Sequence, residues 1–200
     1  ITLNPDVYSI VREQVIQNVI LNDDVIAITT PYMKFYELMA LCEAGRFDTV
    51  RQYISDYWGG MLDMGATTFW EDFNLDWMNN AGRIDEVVPE GKIDIHGDYG
   101  AYCYIRFRHS LCHGWASGPC PYLSNYVLGI RNLAPGKYEV KPELADLEWA
   151  KGTYPTPKGA LSVWAFRNEK GETVLERYNG GGATVAGVNV EAKAAFSRWF

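Results

Sequence analysis

The spacing of apolar residues changes partway along this sequence, and that change does most to limit the fold. In the first 58 residues apolar side chains recur at steps of three and four, the period of a helix packed on one side. After Leu133-Ala134-Pro135-Gly136 they alternate, the period of a half-buried strand. Two periods kept in separate runs predict an α+β chain, with helices in one domain and antiparallel strands in another. The boundary is expected near residue 133, giving a helical domain over 1–133 and a β domain over 134–200.

Val7, Ile10, Val11, Val15, Val19 and Ile20 predict a helix over 6–21. Thr30-Pro31 opens a second, with Thr30 as N-cap and Pro31 in the first turn; Phe35, Leu38, Met39 and Cys42 line it and Gly45 stops it. Phe47, Val50, Ile54, Tyr57 and Trp58 mark a third, which Gly59-Gly60 are expected to end. The short turn between the last two makes residues 30–58 an antiparallel αα-hairpin that feeds a loop from Gly59 to Glu71. Residues 72–108, broken by Asn79-Asn80, Gly82, Pro89, Gly91, Gly97 and Gly100, are expected to be an irregular insertion. Tyr122, Leu123, Tyr126 and Val127 give a further short helix, with Pro119 and Pro121 in its opening turns. Strands are expected over 138–140, 147–153, 161–167, 172–178 and 184–190, with Asn168-Glu169-Lys170-Gly171 as a hairpin turn.

At 200 residues, 48% of them hydrophobic, the chain supports one substantial core or two small ones. Its 18 Lys and Arg against 25 Asp and Glu leave a net charge of −7, and the basic residues are scattered, which argues against a phosphate backbone as partner. No apolar run reaches the roughly 20 residues of a membrane span. The sequence opens on Ile1 with no leader pattern and reads as starting inside something longer, so the compartment is not legible. Cys42, Cys103, Cys112 and Cys120 are too sparse for a disulfide scaffold and are expected as free thiols; the spacing of Cys103, Cys112, His113 and Cys120 fits no common zinc pattern. Gly180-Gly181-Gly182 lacks the strand-to-helix setting of a phosphate loop.

Two motifs carry chemistry. Gly65-Ala66-Thr67-Thr68-Phe69-Trp70-Glu71 sets a carboxylate beside aromatic rings, and Ser110-Leu111-Cys112-His113-Gly114-Trp115 follows some forty residues later. Hydrolysis of a glycoside needs two carboxyl groups, and aromatic rings offer flat partners to the apolar faces of a sugar. Thr68 and Glu71 also fit a capping box at a helix start, so the sequence leaves both roles open for Glu71. Trp70, Trp58 and Trp115 are the candidates for stacking on sugar; Trp77, Trp149, Trp164 and Trp199 read at least equally as core. Asp63 and Asp72 are further carboxylates near the loop, and Asp72, adjacent in sequence to Glu71, is poorly disposed to face it across a substrate. His96 and His109 acquire no role.

These stretches, in this order, resemble the C-terminal part of bacterial α-L-rhamnosidases of glycoside hydrolase family 78. The resemblance rests on Thr30-Pro31, Trp58-Gly59-Gly60-Met61, the loop ending at Glu71, Ser110 to His113, Val127 to Ile130 through Lys141-Pro142, and Leu147 to Gly152 with Pro155-Thr156-Pro157. It implies the last helices of an (α/α)6 six-hairpin barrel followed by a small antiparallel β-sandwich. It further implies release of terminal L-rhamnose with inversion, Glu71 as general base, His113 against the sugar, and no metal or cofactor. The implied general acid lies upstream of these residues, so the expected partners are a rhamnose-containing glycoside or polysaccharide and the remainder of the same polypeptide. The 200 residues alone are then expected to be inactive. Two other readings stay open: a six-hairpin enzyme acting on another sugar, and a non-catalytic carbohydrate-binding module. A uronic acid substrate would call for a basic residue, and the Gly59-to-Glu71 loop has none.

Overall fold

The structure, a computed structural model, describes residues 5–26, 28, 30–95, 110–179 and 184–186. The chain divides into two compact units, Ile1–Pro119 and Cys120–Phe200. His96, Cys103, His109, the glycine run at 180–182 and Trp199 lie outside the described residues.

In the first unit α1 (Pro5–Val15) runs on into a π-helical turn (Ile16–Ile20), and α2 (Pro31–Glu43) and α3 (Phe47–Asp63) form the expected hairpin. Gly45, at φ 72°, makes its turn. The Arg46 N–H bonds to Leu41 O and the Gly45 N–H to Cys42 O, which together close α2 with a Schellman cap. Leu38, Leu41, Cys42, Val50, Tyr57, Trp58 and Met61 fill the core between these helices. Thr30 precedes α2 with extended backbone but makes no side-chain cap bond. On α1 the structure departs from the simplest reading of its period. Ile16 is buried, whereas Ile10, Val11, Val15 and Val19 stay about half exposed.

Gly59-Gly60 do not end α3; the helix continues through them to Asp63. A Cβ on Gly60 would come within 3.0 Å of Met78 Sδ and of the Phe73 ring, so this glycine admits close packing inside the helix. The stop is Gly65, at φ 91°, with its N–H on Leu62 O and the Ala66 N–H on Met61 O, a second Schellman cap. The segment after residue 72 is not irregular throughout. It forms a 3₁₀ turn (Leu75–Asn79) and a short parallel pair, β1 (Ala81–Gly82) with β2 (Ile93–Asp94). Phe73 and Trp77 are buried from it, their rings 5.8 Å apart and edge-on, and Phe73 also meets Tyr57 at 5.5 Å.

The second unit holds most of α4 (Pro119–Tyr122), a π-helical turn (Leu123–Val127) and two three-stranded sheets. One sheet has the order β3 (Ile130–Ala134), β4 (Lys137–Val140), β8 (Thr184–Ala186), with β4 and β8 parallel. The other is the antiparallel run β5 (Trp149–Thr156), β6 (Gly159–Arg167), β7 (Thr173–Asn179). Strand β3 was not expected from the pattern, because Arg131 and Asn132 interrupt its alternation. Ile130, Tyr138 and Val140 from one sheet and Leu161 and Val163 from the other form a single apolar core. Packed helices in one unit, and in the other an antiparallel sheet and a mixed one, give the α+β class; a closed ring of helices is not formed by the described residues.

Candidate active site

Gly65 turns the chain out of α3 into an extended loop over residues 66–74 that carries Glu71. No helix starts at Thr68, so the capping box is not formed. Both of its side chains reach instead to the segment after residue 109. The Thr68 hydroxyl donates to Leu111 O, and Glu71 Oε2 accepts the Ser110 N–H at 2.7 Å. The main chains join too, with Glu71 N–H on Ser110 O at 2.8 Å and His113 N–H on Phe69 O at 2.7 Å. Indole N–H groups complete the lacing: Trp115 donates to Glu71 O at 3.3 Å and Trp58 to Ala116 O at 2.8 Å. Two segments far apart in sequence thus form one rigid surface.

That surface brings together the two side chains singled out from the sequence, with His113 Nδ1 3.8 Å from Glu71 Oε2. The Glu71 side chain is 9% exposed and the imidazole 31%, so the carboxylate is recessed behind a partly open ring. Trp115 lies beside the imidazole, ring centroids 4.2 Å apart, and is itself 44% exposed. Sequence reasoning overlooked Tyr32 and Tyr36. Tyr32 packs 5.4 Å from Trp115 and its hydroxyl lies 3.1 Å from that of Tyr36. The signal was available: the two tyrosines stand four apart on the opening turns of α2, and both stay exposed.

Trp70 and Trp58 do not fit the stacking role expected of them. Trp70 is fully buried, its ring edge-on to Phe73, and its Nε1–H has no hydrogen-bond partner. Trp58 is buried, 4.9 Å from Tyr57, with its N–H committed to Ala116. Neither ring offers a face to a ligand; both hold the loop down.

Asp72 turns toward the interior. It is buried, it accepts the Phe73 N–H at 2.9 Å, and loss of solvent pushes its carboxyl above the usual range, with the Glu71 charge adding to the rise. Burial, and then the Asp72 charge, raise the Tyr57 phenol in turn. Among the described residues no group of three or more His, Cys, Asp or Glu is placed to hold a metal ion. Cys112 and Cys120 are exposed free thiols and Cys42 a buried one.

What the fold and site define is an α+β chain with a recessed carboxylate and imidazole flanked by exposed rings. Its structure is similar to part of a crystal structure of a GH78 family rhamnosidase from Bacillus sp. GL1, with a TM-score of 0.56 and 26% sequence identity. The match covers 77% of this chain and 14% of that one, so the chain spans a small part of the length of the structure it matches. A GH78-like fold follows for the matched stretch. No protein-family profile and no curated protein matches the sequence.

Proposed function

We propose that this chain is the C-terminal part of an inverting glycoside hydrolase that releases terminal α-L-rhamnose, with Glu71 as its general base. The observation that carries the reading is the coincidence of a recessed Glu71–His113 pair with structural similarity to a GH78 rhamnosidase. In this reading Glu71 takes a proton from a water as that water attacks the anomeric carbon. A carboxylic acid from outside these residues protonates the departing glycosidic oxygen. The Ser110 N–H on Oε2 holds the carboxylate in one orientation. His113 donates to a sugar hydroxyl, and the exposed rings of Trp115 and Tyr32 give the sugar an apolar wall.

The remainder of the same polypeptide supplies the other helices of a six-hairpin barrel. The half-exposed stripe of Ile10, Val11, Val15 and Val19 on α1 supports this, because an apolar stripe of that length calls for a cover. The test is hydrolysis of p-nitrophenyl α-L-rhamnopyranoside by the longer polypeptide, with the first-formed anomer followed by proton NMR. Initial release of β-L-rhamnose is the expected result; release of the α anomer, or hydrolysis by the 200 residues alone, contradicts it.

One observation favours a second reading, a carbohydrate-binding module without hydrolysis: the Glu71 carboxylate already serves to tie two segments together through Ser110. In that case sugar binding persists in Glu71→Gln and no glycoside is cleaved.

A further inference from the structure

The second unit carries a feature that Glu71 chemistry leaves unused. On the antiparallel sheet the alternation of β5 and β6 sends Ala150, Leu161, Val163 and Ala165 into the core and their neighbours outward. Trp149 pairs across the strands with Phe166, and Lys151 with Trp164. Three aromatic side chains therefore share the outer face of one sheet. Of the two roles the sequence leaves open for Trp149, core and exposed ring, the structure shows the second, with 61% of the residue exposed, and the Lys151 ammonium sits 5.7 Å from the centre of the Trp164 ring. These side chains line an open cavity of about 660 Å³, with Glu148 at its edge.

Its walls are built rather than loose. The Arg167 N–H bonds to Glu148 O at 2.8 Å, and the Arg167 guanidinium donates to Gly171 O and Ala145 O, which fixes the end of β6 where Arg167 lines the cavity. The rings stand on paired strands whose other face is packed. The volume falls in the range of about 300–1,000 Å³ found for small-molecule sites.

We propose that this aromatic face is a second carbohydrate site, which takes a neutral oligosaccharide or polysaccharide chain. The exposed Trp149 ring, with the partly buried Trp164 and Phe166 beside it on the same face, offers a flat partner to the C–H faces of a pyranose. Glu148 and Lys151 stand beside them as acceptor and donor for sugar hydroxyls. The same pair argues against burial under another protein surface, whose core is depleted in Lys and Glu. The site is independent of the hydrolase reading, since every residue in it belongs to the second unit.

The test is affinity electrophoresis of the chain through native gels that contain soluble xyloglucan or mixed-linkage β-glucan, polysaccharides without rhamnose, beside Trp149→Ala and Lys151→Ala. Retardation by at least one polysaccharide is expected, weakened about tenfold or more in Trp149→Ala and less in Lys151→Ala. Because Trp149 is exposed, its truncation leaves the fold intact, which circular dichroism checks. Free migration in both gels overturns the proposal, as does retardation that survives Trp149→Ala. So does sedimentation showing a dimer that Trp149→Ala dissociates, which would assign the face to a second copy of the chain.

Discussion

Burial alters the chemistry of Asp72 and Cys42. The Asp72 carboxyl binds its proton more tightly folded than unfolded, so stability falls as pH rises from about 4 through its raised value. Asp72→Asn keeps the acceptor for the Phe73 N–H and removes the buried charge. It should melt above the unsubstituted chain at pH 7, with the difference closing toward pH 4, as thermal scans across that range would show; equal melting at pH 7 would contradict this. Burial pushes the Cys42 thiol up to about 12. Iodoacetamide on the native chain should therefore label Cys112 and Cys120 and spare Cys42, as peptide mapping would report. At this scale the sequence disclosed residue types but not exposure. Glu71 and His113 could be singled out as candidates because both lie in aromatic segments, and the structure brings them within 3.8 Å of each other. The exposure of Trp70 and Trp149 was not legible, because a tryptophan reads the same whether it plugs a core or faces solvent.

Elements were legible where a period repeats and obscure where a single backbone conformation decides. The helical hairpin and strands β4 to β8 follow from spacing, whereas the end of α3 turns on which glycine adopts positive φ. Gly59 lies inside that helix, and a Cβ there would meet nothing within 4 Å. Gly59→Ala is accordingly expected to stabilise the chain by about 0.5–1 kcal/mol in urea denaturation, whereas a helix that ended at Gly59 would lose stability. Gly129 is the opposite case: its φ is 70° and a Cβ would fall 2.0 Å from the Lys141 carbonyl carbon. Gly129→Ala should cost about 2 kcal/mol or more by the same measurement. Strand β3 escaped notice because only Ile130, one of its five residues, is fully buried.

For the whole molecule the sequence conveyed two periods and hence two kinds of packing, but not what lies against the outer side of α1. In the 200 residues Val15 is 47% exposed, so Val15→Lys should change their stability by no more than about 0.5 kcal/mol. The same substitution in the longer polypeptide should lower its melting temperature by several degrees if other helices cover that stripe. The central claim, that Glu71 activates water for glycoside hydrolysis, is tested most directly by the turnover of the longer polypeptide on p-nitrophenyl α-L-rhamnopyranoside with and without Glu71→Gln. The amide can still accept the Ser110 N–H, so folding is expected to survive. The account predicts a fall in kcat of about 10²–10⁴-fold with an unchanged melting temperature; a folded Glu71→Gln enzyme that turns over normally would contradict it.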